Sequence, residues 1–234
     1  MAADTRTWVE KAVQNKDTGA TSDPEAPMQS DITTGDALDA VQAEIRACRL
    51  CADRFAATHT AHDPRPVTWF RSTARILIAG QAPGMQVHQV GKPFFDRSGD
   101  RLRDWLGMDA DTFYDLSRVA TVPMAFCFPG YNAAGSDLPP PPQCAKTWHR
   151  PVLDGLGDVK LTILVGGHAQ KFHMGAAAKG GVTRTVAAWR DVAPDVFPLP
   201  HPSWRNTAWL RKNPWFETEL IPVLQARVKE VLDD

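Results

Sequence analysis

Four short apolar runs, separated by helical patterns and turns, constrain the fold of this chain more than any other feature. They are Ala74–Ala79, Arg118–Met124, Leu161–Val165 and Val196–Leu199. Strands that are apolar on both faces and alternate with helices are typical of a parallel sheet covered by helices. The pattern predicts an α/β fold, a three-layer α/β/α sandwich around a central, mostly parallel four-stranded sheet. Ligands of such folds bind at the carboxyl ends of the strands, where GQAPG (80–84) and HPSWRN (201–206) fall.

Residues 36–234 are expected to form one domain behind a polar extension. The 234 residues are 43% hydrophobic and 23% charged, which is ordinary for a globular protein. Residues 1–35 are polar and acidic, and we expect most of them to be disordered. No apolar run is long enough to span a bilayer, and the N-terminal residues lack the apolar core of a secretory signal. We therefore expect a cytoplasmic protein without a membrane partner, and a monomer.

The distribution of charge leaves a nucleic-acid partner open. The whole chain has a formal net charge of −1, which at first argues against such a partner. However, residues 1–36 hold three basic and seven acidic residues, so the rest of the chain carries 23 basic and 20 acidic ones. A mildly basic body is compatible with transient contact with DNA, although it does not require it.

Four cysteines suggest a metal site. Cys48 and Cys51 form a C-x2-C pair, and Cys127 and Cys144 follow with sixteen residues between them. In a cytosolic chain such thiols indicate metal ligands rather than disulfides. Both Zn²⁺ and a [4Fe–4S] cluster accept four thiolates. The wide second spacing is unlike the two C-x2-C pairs of zinc ribbons and favours the cluster, with zinc as the alternative. Alternatively, the four cysteines are unrelated buried residues that bind neither zinc nor a cluster, because free cysteines are commonly buried.

Three motifs and these cysteines together resemble the uracil-DNA glycosylase superfamily, and in particular its iron–sulfur branch, usually called family 4. The motifs are GQAPG (80–84), GKPFFDRSG (91–99) and HPSWRN (201–206). The resemblance covers roughly residues 45–232. GQAPG alone would be a weak signal, but the three motifs and four cysteines in the right order are specific. The resemblance also implies that the four cysteines are ligands of a [4Fe–4S] cluster.

The resemblance implies a DNA glycosylase that hydrolyses the N-glycosidic bond of a deaminated base, with uracil the first choice, in base excision repair. Such an enzyme flips the target base out of the helix. Phe94 matches the aromatic residue that stacks on this base, and Gly80, Gln81 and Ala82 match the segment that binds it. His201 matches the histidine that donates to the base carbonyl and stabilises the developing anion.

The last motif is implied to contact the DNA outside the base pocket. Ser203 matches a phosphate contact. Trp204 and Arg205 stand where the family carries a wedge that fills the gap in the duplex, and Asn206 completes this DNA-binding segment. For Trp204, simple packing is the competing explanation.

The chain departs from the family pattern at two places. The acidic residue that positions water in the first motif is replaced by Gln81 and Ala82. Gln81 can orient water but cannot act as a base, so His88 and Asp96 are further candidates for this role. The resemblance places Pro123 or a neighbour where the family has the asparagine that pairs with uracil. A hypoxanthine or other damaged-base preference therefore stays open.

Two other functions are compatible with these departures. One is a damaged-DNA-binding member of the same superfamily that is non-catalytic, or that traps the sugar covalently through His88. The other is a small-molecule hydrolase that uses His201, although the chain has no G-x-S-x-G nucleophile motif.

Overall fold

A parallel four-stranded sheet forms the centre of the protein, whose computed structural model describes residues 34–234. The strand order is β2-β1-β3-β4, and all three pairings are parallel. The strands are Ile76–Ala79 (β1), Val119–Thr121 (β2), Leu161–Val165 (β3) and Val196–Leu199 (β4). The predicted fold class is thus confirmed. The predicted disordered extension lies outside the described residues, except Thr34 and Gly35, which begin the first helix.

Ten α-helices in the described part of the chain connect and cover these strands. They are Thr34–Ala47 (α1), Ala52–Ala56 (α2), Met85–Val90 (α3), Arg97–Leu106 (α4), Ala110–Tyr114 (α5), Pro142–Gly155 (α6), Gly167–Met174 (α7), Gly181–Ala187 (α8), Thr207–Lys212 (α9) and Ile221–Asp233 (α10). Short 3-10 helices lie at Gly175–Ala178, Trp189–Asp191 and Trp204–Asn206, and Phe216–Leu220 is a π-helix.

The alternation of side chains along β1 builds a core on both faces of the sheet. Ile76 and Ile78 belong to a cluster with Leu102 of α4 and Leu224 of α10. Leu77, on the opposite face, belongs to a cluster that includes apolar residues of α1 and α6. Successive side chains of a strand point to opposite faces, so one fully buried strand supports both helix layers.

Two prolines explain where the elements end. The second strand was predicted over Arg118–Met124 but stops at Thr121, two residues before Pro123, which has no amide hydrogen for the ladder. The structure places Pro222 in the first turn of α10, directly after the π-helical turn. A π-turn at this point accommodates the missing hydrogen bond of the proline.

The strand order places a topological switch point between β1 and β3. The chain leaves β1 towards β2 on one side and later returns to β3 on the other. In open α/β sheets the crevice at such a point, outside the carboxyl ends of the strands, is the usual ligand site.

Candidate active site

A single cleft at the carboxyl ends of the strands contains most of the residues that the sequence singled out. Its volume is about 390 Å³, within the range of small-molecule pockets. The predicted site residues that line it are Gly80, Gln81, Ala82, Phe94, Asp96, Pro123, His201, Ser203, Trp204 and Arg205. The structure therefore brings together three motifs that are up to 120 residues apart in the sequence.

Phe94 is held in the cleft by an unusual backbone conformation. Its φ angle is +51°, a left-handed conformation that bulky residues rarely adopt. Its carbonyl accepts a hydrogen bond from the Tyr114 hydroxyl at 3.1 Å. Its ring meets Phe113 edge-on, with 6.1 Å between ring centroids. Strained residues persist only where their surroundings fix them, and they concentrate at functional sites.

Two glycines leave the space that Phe94 needs. A Cβ atom at Gly99 would lie 1.7 Å from the Phe94 carbonyl oxygen, which no rearrangement of a side chain could relieve. A Cβ atom at Gly80 would lie 3.3 Å from the tip of the Phe94 ring. The ring thus lies directly over the first residue after β1, where it forms one wall of the cleft. The other motif glycine, Gly84, has open space around its Cβ position.

His201 is oriented by backbone groups so that one ring nitrogen remains a donor. The Ser203 amide donates to Nδ1 at 3.2 Å, so the proton of the neutral ring must reside on Nε2. The side-chain amide of Asn206 donates to the His201 carbonyl at 2.7 Å and fixes the loop. Burial lowers the pKa of His201, and the negative charge of Asp96 opposes this shift. A neutral ring with an Nε2–H group is suited to hydrogen-bond a developing oxyanion.

The Asp96 carboxylate is already engaged within the protein. It caps α4 by accepting a hydrogen bond from the Gly99 amide at 2.9 Å. This cap anchors the helix that follows Phe94. Asp96 thus lines the cleft, but its first role is structural.

The base-reading position predicted at Pro123 offers no side-chain hydrogen bond, and its carbonyl already accepts one within the protein. Pro123 lines the cleft, but its carbonyl accepts a hydrogen bond from Nε2 of the fully buried His149 at 2.8 Å. The neighbouring Thr121, which the sequence analysis missed, also lines the cleft. Its buried hydroxyl has no hydrogen-bond partner among residues 34–234. The Thr121 hydroxyl and the Gln81 amide are therefore polar groups that could meet a base at this end.

The mouth of the cleft is aromatic and basic. Trp204 is 67% exposed, and the Arg205 guanidinium lies over its ring at 5.7 Å from the centroid. Arg101 of α4 donates to the Ser203 carbonyl at 3.1 Å and so joins this rim to the wall that carries Phe94. An exposed aromatic ring backed by arginine is the combination that stacks on bases and contacts phosphates.

The structure does not bring His88 or Asn206 into the cleft. His88 packs edge-on against His62, with 5.2 Å between ring centroids, and also lies near Phe128. Burial lowers the pKa of His88, and the positive charges of His62 and Arg65 add to the effect. Asn206 supports His201 from behind, through the hydrogen bond described above.

A loop that sequence reasoning left unassigned forms another wall. The residues that it adds to the cleft are Tyr131, Gly135 and Asp137. The glycines and prolines of this segment are typical of a loop, but nothing in its composition indicates that it faces the site. Asn132 followed by small residues was the available signal for an ordered turn, because its side chain caps the amides of Ala134 and Ser136, both at 3.0 Å.

The four cysteines surround one small cavity that shares no lining residue with the cleft. All four are free thiols, and all line a cavity of about 20 Å³ together with Phe55 and Trp148. Gln143 donates to the Cys51 sulfur at 3.3 Å. Burial, with a smaller effect of Cys144, raises the pKa of Cys127 to about 12, and burial raises that of Cys144 to about 11.

These thiols are a donor set that fits a cluster. Buried thiolates without a cation are unfavourable, and a metal centre offsets that cost. In the conformation described for residues 34–234, however, no group of three or more His, Cys, Asp or Glu side chains is arranged to hold a metal ion. The structure therefore brings the four cysteines together around one cavity.

Two further findings concern longer parts of the chain, namely its helices and its match to a protein family. No helix within residues 34–234 has both the length and the apolar character needed to cross a membrane. The family model of the uracil DNA glycosylase superfamily matches residues 67–225, a span that includes the cleft motifs and two of the four cysteines.

Proposed function

Because the chain belongs to the uracil DNA glycosylase superfamily, we propose that it is a monofunctional DNA glycosylase that removes a deaminated base. Uracil is the first candidate, and hypoxanthine and xanthine are the others. The observation that carries the proposal is the pairing of a neutral His201 with the Phe94 ring in one cleft. A flipped base can stack on the ring while a carbonyl oxygen of the base accepts from Nε2 of His201.

Cleavage of the glycosidic bond creates two charges that the enzyme must stabilise. The C1′–N bond breaks with its electron pair going to the base, which leaves a negative charge on the base and a positive charge on the sugar. The Nε2–H of His201 stabilises the anion because it is placed before the reaction and needs no reorganisation. A water molecule then adds to C1′ and loses a proton, which yields the free base and an abasic site. A neutral His201 donates through Nε2 because its Nδ1 accepts the Ser203 amide.

Base selection in this proposal depends on groups other than the missing asparagine. The Gln81 amide can both donate and accept, and the buried Thr121 hydroxyl lacks a partner among the described residues. The Thr121 hydroxyl is a single group, and the Gln81 amide, although it has the donor and acceptor of an asparagine, comes from the first motif and not from the end of the middle strand. We therefore expect weaker discrimination between uracil and other deaminated bases than an asparagine would give.

The mouth of the cleft supplies the DNA contacts. In this proposal Trp204 fills the gap left by the flipped nucleotide, and Ser203 and Arg205 bind phosphate. The cleft is complete within one chain, so the proposed enzyme acts as a monomer. Its four free thiols agree with a cytoplasmic location, where thiols stay reduced.

We also propose that Cys48, Cys51, Cys127 and Cys144 hold a [4Fe–4S] cluster, with zinc as the alternative. When bound, the cluster would supply structural cross-linking rather than redox chemistry, because its cysteines line a cavity separate from the cleft. The family 4 assignment depends on this cluster and is part of the proposal.

The covalent-trapping alternative receives no support at His88. That residue packs against His62 and Phe128 and is not part of the cleft. The non-catalytic alternative keeps only the replacement of the motif acid by Gln81 and Ala82 in its favour.

The test is a panel of single- and double-stranded oligonucleotides carrying uracil, hypoxanthine or xanthine, with abasic sites revealed by alkaline cleavage. We expect base release by the wild type, and a decrease of about 10²–10³-fold in the single-turnover rate for His201→Ala. The control is Asp39→Asn on the exposed surface of α1, which should behave as the wild type. If the wild-type protein leaves all three bases in place, the proposal is wrong.

A further inference from the structure

The carboxylate of Asp137 lies in the cleft although no sequence motif includes it. Asp137 lines the cleft together with His201 and Phe94, and it comes from the loop between β2 and α6. A turn within that loop is held by hydrogen bonds. Tyr131 and Asp137 form an antiparallel bridge, the Leu138 amide donates to the Gly130 carbonyl at 2.8 Å, and the Asn132 side chain caps the turn between them.

Asp137 differs from the other carboxylate of the cleft in what its oxygens contact. Asp96 accepts the Gly99 amide and caps α4. Among the residues that the structure describes, no side-chain hydrogen bond or close ion pair engages the Asp137 carboxylate, which is exposed at the mouth. The charged groups that face it are Arg205 and Asp96. Partial burial raises the pKa of Asp137, Asp96 adds to this, and Arg205 opposes it.

The proposed reaction needs a negative charge that the first motif does not provide. Bond cleavage places positive charge on the sugar, and the attacking water must lose a proton. Gln81 and Ala82 carry no charge, and His88 is outside the cleft. The sugar of a nucleotide whose base lies deep, between Phe94 and His201, must lie nearer the mouth, on the side of Ser203, Arg205 and Asp137.

We propose that Asp137 is the catalytic carboxylate that stabilises the sugar cation and accepts the proton of the attacking water. In this step the C1′–N electron pair has already left with the base, the water oxygen bonds to C1′, and the water proton passes to Asp137 and then to solvent, from which the base anion takes up a proton. The inference rests on the proposed function for the identity of the substrate. The catalytic role proposed for Asp137 does not depend on which base is removed.

The first experiment measures recognition of the sugar charge without turnover. Oligonucleotides carry either a pyrrolidine abasic-site analogue, which is cationic, or a tetrahydrofuran analogue, which is neutral. We expect the wild type to prefer the cationic analogue, and Asp137→Asn to reduce that preference about tenfold or more with little change in affinity for the neutral one. Asp137→Glu, which keeps the charge, should retain part of the preference, and Asp39→Asn all of it.

The second experiment measures single-turnover base release from the oligonucleotide panel. We expect Asp137→Asn to slow release by about 10²-fold or more with substrate affinity changed less than about threefold. If Asp137→Asn releases bases at the wild-type rate, or keeps the full preference for the pyrrolidine analogue, the inference is overturned while the glycosylase proposal stands. If no base is released but the pyrrolidine preference depends on Asp137, the cation site stands and the proposed turnover is wrong.

Discussion

At the scale of single residues, the unusual conformation of Phe94 is the feature most closely connected with function. A bulky residue at φ +51° costs of the order of 1–3 kcal/mol, and here the Tyr114 hydroxyl and the α4 cap hold it in place. The result is a pair of adjacent phenylalanines with different roles. Phe94 faces the cleft, whereas Phe95 is 43% exposed. Apolar character alone could not decide between them, because both residues are phenylalanines, and only the register of the motif favoured Phe94.

This conformation depends on Gly99, and we predict that Gly99→Ala destabilises the protein by about 3 kcal/mol or more. The new Cβ would lie 1.7 Å from the Phe94 carbonyl oxygen, so the backbone itself must move. The free energy of unfolding from urea titration is the measurement. Gly84→Ala is the matched control for stability, because its Cβ would meet open space, and it should change stability by less than about 1 kcal/mol. Equal effects of the two substitutions would contradict this account of Phe94.

At the scale of elements, the strands were predictable and the loops were not. Leu161–Val165 and Val196–Leu199 were predicted with the bounds that the structure shows, because continuous apolar runs report burial on both faces. Burial of β1 was predicted in the same way. By contrast, the wall made by Tyr131 and Asp137 depends on long-range placement of a loop, which local patterns do not encode. The capture of the Pro123 carbonyl by His149 is a contact of the same kind.

The packing of α6 against α7 buries two histidines. His149 of α6 is 0% exposed and His173 of α7 is 1% exposed, and their ring centroids lie 6.1 Å apart. Burial, opposed by the hydrogen bond to the Pro123 carbonyl, lowers the pKa of His149 to about 4. Burial, with a smaller contribution from His149, lowers that of His173 to about 3. Both rings are therefore neutral in the folded protein at pH 7.

We predict that this pair makes the protein less stable in mild acid. The unfolded histidines have a pKa near 6.5, so below that pH the unfolded state binds more protons than the folded state. The free energy of unfolding is highest above about pH 6.5 and falls as the pH decreases towards about 4. His149 alone accounts for a decrease of up to about 3 kcal/mol. The measurement is the free energy of unfolding from pH 7.5 to 5. His149→Gln should flatten the dependence, whereas His59→Gln, at an exposed position, should not. If the free energy of unfolding of His149→Gln varied with pH as in the wild type, the acid sensitivity would not come from His149.

At the scale of the whole molecule, the cysteine cavity joins segments that are distant in the chain. Cys48 and Cys51 follow α1, Cys127 lies six residues beyond β2, and Cys144 lies in the first turn of α6. The same α1 packs on α6, and the loop between Cys127 and Cys144 forms the cleft wall that carries Asp137. A cross-link at this cavity would therefore fix both ends of that loop. The C-x2-C spacing predicted the first pair, while the convergence of all four could be tested only in three dimensions.

We predict that Cys144→Ala lowers metal content, thermal stability and base release together. Removing one of four thiolates weakens the metal centre, and the loop that it anchors then loses order, which costs the cleft one wall. The measurements are iron and zinc content, the visible absorbance of the purified protein, the melting temperature and the single-turnover rate. Lys146→Ala, an exposed position on the same helix, is the control and should match the wild type. Four iron atoms per chain would identify the cluster, and one zinc ion the alternative. If Cys144→Ala kept the wild-type metal content and melting temperature, the four cysteines would be independent buried thiols, and the loop would owe its order to its own hydrogen bonds alone.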